Sequence, residues 1–186
     1  MLFFKKKLIE KAMKANHIIR DAIVMGICDK FIYEKDVKGS EYKSVLFVRS
    51  LNWAVPGPNY TLENDLSSIN NESYQDKLKK DEDQIYIDGL KILNTDMLGD
   101  LITFYIAYEV HLINVLSPKN GEEKYPGIIR MKKLLFQDTE DSPDIKSSDF
   151  IANYKDLFIK FNDEYGKYGK VISTKTIDSL FSLLYI

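Results

Sequence analysis

Residues 98–116 read LGDLITFYIAYEVHLINVL, and the reading of this stretch decides the fold. Its length suits a membrane span. Asp100, Glu109 and His111 interrupt it, and a central acidic residue costs about 2.5–3.5 kcal/mol on insertion. The stretch is therefore read as a helix buried in a soluble bundle. On a helical projection, Asp96, Asp100, Thr103, His111 and Asn114 form one polar stripe. Glu109 points the opposite way, among Leu98, Ile102, Tyr105, Leu112 and Ile113. An acid on an apolar face is costly unless it is paired or hydrogen-bonded.

The same helical period runs outward in both directions. Residues 3–15 read as a first helix with Lys5, Lys6, Lys7, Lys11 and Lys14 in solvent. Asn16 is a candidate cap for a second helix over 17–33, apolar on nearly every side and so expected in the middle of a bundle. Ser40 can cap a third helix through Trp53, a segment equally readable as a strand at VLFVRSLNW. VPGPNY, residues 55–60, breaks the helical pattern. A short helix is expected over 62–69, another after a capping box at Asp81 and Gln84, and Thr95 is placed to cap the long helix ending at Leu116. Loops are expected at 117–127 and 137–144, with a short helix between them. Residues 149–165 carry the clearest amphipathic pattern, with Phe150, Ile151, Tyr154, Leu157, Phe158, Phe161 and Tyr165 on one face and Gly166 and Gly169 at its end. The tail helix begins near Thr174 or Thr176. The expectation is one all-α domain over residues 1–186, a helical bundle of about seven or eight helices. The tail, TIDSLFSLLYI, either docks through Leu180, Phe181, Leu183 and Leu184 or leads into a membrane span.

Composition removes several function classes. A net charge of −2 supplies no basic field for nucleic acid. Among the 26 basic residues only three are arginine, the side chain best suited to phosphate and base recognition. The single cysteine, Cys28, excludes an internal disulfide and fits a reducing compartment. It lies in an apolar pattern and reads as core filling rather than as a nucleophile. The two histidines, His17 and His111, belong to no short metal-binding motif, and the acidic 137–144 loop lacks the calcium-loop order. No phosphate-binding glycine loop or nucleophile elbow is present. No metal or cofactor is expected.

Two acids stand out as buried or interface candidates, Asp29 and Glu109. Asp29 lies in line with Ile18, Ala22 and Met25 on one helical face. A desolvated carboxylate can act as a general acid. With no second catalytic group identifiable, a core acid bonded to a tyrosine, a lysine or a backbone amide is the favoured reading. Trp53, Pro56, Pro58 and Tyr60 form a candidate partner-contact loop.

AIVMGICDKFIYEK, residues 22–35, resembles the core helix of the DotU/TssL family, where an apolar run with a small residue leads into an acidic pair. Gly26 matches the small residue and Asp29 the aspartate, while Lys30 stands where the family has glutamate. SVLFVRSLNW is similar to the family's following Leu-rich helix, and DLITFY, residues 100–105, to its Asp-Leu-Leu-x-x-Tyr helix. The family's Leu-Gly-Phe-x-Gly-x-Tyr segment has no counterpart after Tyr105. The resemblance implies an all-α domain at the cytoplasmic face of the bacterial inner membrane, held by a C-terminal span. It implies a non-enzymatic structural part of a type VI or type IVB secretion complex. Its partner would be an IcmF/TssM-like inner-membrane protein, and it would tend to dimerise. The alternative is a cytoplasmic interaction protein, such as an immunity protein or a secretion chaperone.

Overall fold

A computed structural model describes residues 2–34, 97–125, 128–129, 132–133, 136, 143–169 and 171–186. Among them the secondary structure is entirely helical: α1 (Leu2–Glu34), α2 (Met97–Leu116), the single turn α3 (Gly121–Lys124), α4 (Phe150–Tyr165) and α5 (Thr174–Ser182). The helices expected over 40–53, 62–69 and 81–93 lie outside the described residues, as do Trp53, Pro56, Pro58 and Tyr60.

The N-terminal region corrects the two-helix reading. Residues 2–34 form one continuous helix of 33 residues, about 50 Å long at 1.5 Å per residue. Asn16 is fully buried within it and caps nothing. No proline or glycine stands near position 16 to end the helix, and the asparagine amide finds its partners on other helices instead. Ile9, Ala12, Asn16, Ile19 and Ile23 recur at three- and four-residue steps and form the buried stripe. Lys5, Lys6, Lys7, Lys11 and Lys14 are exposed, as the sequence predicts. The expectation of burial on every side fails at Ile18 and Met25, which are exposed.

α2 is the central element, with twelve buried residues. α1 packs on α2, α4 and α5; α4 also packs on α2 and α5. The polar stripe of α2 faces outward: Asp100 and Asn114 are exposed, and Thr103 and His111 are half-buried. Thr103 returns its hydroxyl to the Gly99 carbonyl at 2.8 Å. Among the described residues no helix is long and apolar enough to cross a membrane.

α4 matches its sequence pattern, with six of the seven named aromatic and aliphatic residues buried and Leu157 half-buried. Gly166 follows it at a φ of −60°, so the glycine is not there for a left-handed cap. A Cβ at this position would run into the Asn162 carbonyl oxygen and lie 2.7 Å from Val171 Cγ2. α5 starts at a Ser173 cap whose hydroxyl accepts from the Thr176 amide at 3.3 Å. Leu180, Phe181 and Leu184 are buried, and Leu183 is 42% exposed. The tail thus docks onto the core through three of the four leucine and phenylalanine positions read from the sequence.

Candidate functional site

Four polar residues meet where α1, α2 and α4 come together. Glu109 projects from the buried face of α2 with no exposed surface. Its Oε2 accepts from Asn16 Nδ2 at 2.7 Å. Its Oε1 lies 2.8 Å from His17 Nε2. The Asn16 Oδ1 in turn accepts from the Tyr154 hydroxyl at 3.0 Å. One asparagine therefore ties α1 to both α2 and α4, using the donor and the acceptor of a single amide. On the neighbouring position of α2, the Tyr108 hydroxyl donates to the Leu184 carbonyl at 2.6 Å, fastening the tail.

A second charged group lies one helical turn along. Arg20 is 2% exposed and donates through Nε and Nη2 to Asp21 Oδ1, at 3.0 and 2.8 Å. Burial opposes its charge, but Tyr105 and Asp21 outweigh that and hold the guanidinium above its usual pKa. The Tyr105 hydroxyl is enclosed and, among the described residues, meets no partner at full hydrogen-bond geometry, with Arg20 the group that interacts with it. Burial, then the charge of Glu109, pushes the Tyr105 and Tyr108 phenols up. Tyr154 is raised by burial first, then by its neighbours Tyr105, Glu109 and Tyr108. Burial and the nearby Lys146 lower His111, which stands apart from the node.

The sequence places Glu109 correctly on a buried face but not its partners, which are Asn16 and His17 rather than a tyrosine, a lysine or a backbone amide. The available signal is Asn16, His17 and Arg20 at i, i+1 and i+4 within an otherwise apolar run. Residues with that spacing share a helical side. Asp29 is not part of the node. It is half-buried and lines a separate cleft between α1 and the end of α4. Among the described residues no group of three or more His, Cys, Asp or Glu could hold a metal ion.

Chemically, the carboxylate at the centre of the node is engaged at both oxygens. Glu109 lines neither the cleft beside Asp29 nor a second one beside Lys132 and Lys133. Such a network specifies how helices register more than it adds stability. No protein-family model, no curated protein and no solved structure matches the chain.

Proposed function

We propose that this chain is a non-catalytic, protein-binding component of a bacterial secretion membrane complex, of the DotU/TssL kind, at the cytoplasmic face of the inner membrane. The observation that carries its non-catalytic part is the engagement of Glu109. The acid best placed for general-acid chemistry is enclosed and bonded at both oxygens by Asn16 and His17. The family part rests on the resemblance around Gly26 and Asp29. It is supported by the packing at Gly26, where a Cβ would lie 2.7 Å from Phe161 Cζ, so a small residue serves the α1–α4 crossing. Leu183, Tyr185 and Ile186 are exposed and form an apolar end suited to a covered or membrane-proximal position. An IcmF/TssM-like inner-membrane protein is the proposed partner, with a second copy of the chain as a further one.

A second reading, a soluble interaction protein such as an immunity protein or a secretion chaperone, is favoured by the docking of Leu180, Phe181 and Leu184 into the core. Crosslinking in the native cells, followed by carbonate washing of membranes and affinity capture, separates the two. Recovery of an IcmF/TssM-like protein from the washed membrane fraction is the expected result. A wholly soluble protein bound to one stoichiometric soluble partner would overturn the first reading in favour of the second.

A further inference from the structure

A cleft of about 260 Å³ lies between the C-terminal half of α1 and the end of α4. Phe158, Phe161 and Tyr165 of α4 line it at i, i+3 and i+7, so their rings follow one another along one wall. The Phe161 and Tyr165 rings stack at 4.6 Å between centroids and 23° between planes. The loop after α4 is held by Asn162, whose Oδ1 accepts from the Ile172 amide at 2.9 Å and whose Nδ2 donates to the Ile172 carbonyl at 3.1 Å. Asp29 enters from α1. Gly169 is what admits it, because a Cβ there would collide with Asp29 Oδ2.

The chemistry of the lining selects a class of guest. Among the described residues that line the cleft, most are apolar, Asn162 is engaged with Ile172, and Asp29 is the one charged side chain. Asp29 already has an interaction within the fold. A carboxylate offers about four lone-pair sites, so a further donor can share it. Among the described residues Asp29 supplies the cleft's only carboxylate, and hard cations require several oxygen ligands. The aromatic rings offer apolar contact area to an alkyl stem. The volume falls below the roughly 300–1,000 Å³ typical of drug-sized ligands, which favours a short guest.

We infer that this cleft binds a small free organic amine, its alkyl stem against Phe158, Phe161 and Tyr165 and its ammonium on Asp29. The inference does not depend on the secretion reading.

The test is a titration of the ¹⁵N-labelled full chain, followed by amide chemical shifts. The probes are n-pentylammonium, the neutral 1-pentanol, the anionic pentanoate, and a lysine residue blocked at both backbone ends. Pentylammonium is expected to bind at least tenfold more tightly than pentanol and to shift the amides of Gly26, Gly166 and Gly169. Pentanoate is expected to shift none of them. Asp29→Asn should weaken pentylammonium at least tenfold and leave pentanol unchanged. Ala22→Leu, which fills the cleft without touching the charge, should abolish both. Equal binding of amine and alcohol, undiminished amine binding to Asp29→Asn, or shifts confined to another surface would overturn the inference. Tighter binding of the blocked lysine than of pentylammonium would also overturn it, assigning the cleft to a partner's side chain. Should Asp29→Asn lose its native amide dispersion, the amine–alcohol comparison in the unaltered chain together with Ala22→Leu decides the matter.

Discussion

At the scale of single residues, Glu109 and Asn16 form the joint on which three helices meet. Both oxygens of Glu109 and both the nitrogen and the oxygen of the Asn16 amide are engaged (the Asn16–Tyr154 bond takes the amide oxygen). Glu109→Leu strands the Asn16 and His17 donors and is expected to destabilise the fold by about 3–5 kcal/mol. Glu109→Gln keeps an acceptor for Asn16 and can donate to His17 in its other tautomer, so about 1–2 kcal/mol is expected. Urea denaturation of both variants measures the gap, and equal losses would refute the hydrogen-bonding account. The phenols of Tyr105, Tyr108 and Tyr154 give a second prediction. Burial raises all three above the ordinary value of 10.0. The native state then retains protons that the unfolded chain releases, so stability is intact below pH 10 and falls as pH rises beyond it. At about pH 11 the native protein should lack the 295 nm phenolate absorbance of at least three of its 12 tyrosines. Guanidinium should restore it. The burial of Glu109 was legible in the sequence because a single helix sets the direction of its own side chains. Its partners were not, because they lie 92 and 93 positions away in the chain.

At the scale of elements, the contact between α1 and α4 is set by Gly26. Replacing it with alanine adds helix propensity worth about 1 kcal/mol. It also drives a Cβ to within 2.7 Å of Phe161 Cζ, in a ring row already stacked on Tyr165. Overpacking of this kind costs about 1–3 kcal/mol. Gly26→Ala is therefore expected to destabilise the unaltered chain by about 0–2 kcal/mol, yet to stabilise a Phe161→Leu background where the ring is gone. A double-mutant cycle by thermal melting reads that change of sign, and additive effects would show that the two residues do not press on each other. The continuity of α1 carries the lesson of this scale. Asparagine is a favoured N-cap, so Asn16 reads locally as a boundary. Local preference loses here because the amide gains two tertiary hydrogen bonds and no breaker interrupts the helix. Gly166 teaches the converse. It was correctly placed as the end of α4, but for lack of room beside Asn162 and Val171 rather than for its backbone freedom.

At the scale of the whole molecule, the tail belongs to the core. Phe181 is 1% exposed and packs its ring 5.1 Å from Tyr154 and 5.6 Å from Phe158. Tyr108 holds the Leu184 carbonyl, and Lys155 reaches Asp178 at 2.7 Å on the surface. Phe181→Ala is expected to cost about 3–5 kcal/mol of global stability, lowering the melting temperature by roughly 10 °C for a chain of this size. Amide exchange should slow in α5 and α4 together and quicken together in the variant. A tail that exchanges freely while α4 stays protected would show that its docking adds nothing to the fold.

The sequence by itself determined the helical class of the described residues, the burial of α2 and the apolar face of α4. Each of these follows from the 3.6-residue period, which is a property of neighbouring residues. It also placed Glu109 away from water and Asn114 toward it. Only the tertiary structure decided that Asn16 joins three helices, that Asp29 lines a cleft, and that Leu184 docks while Leu183 remains in solvent. Those outcomes depend on which helices meet and at what height, and hydrogen bonds between distant positions and the room left beside a glycine settle them.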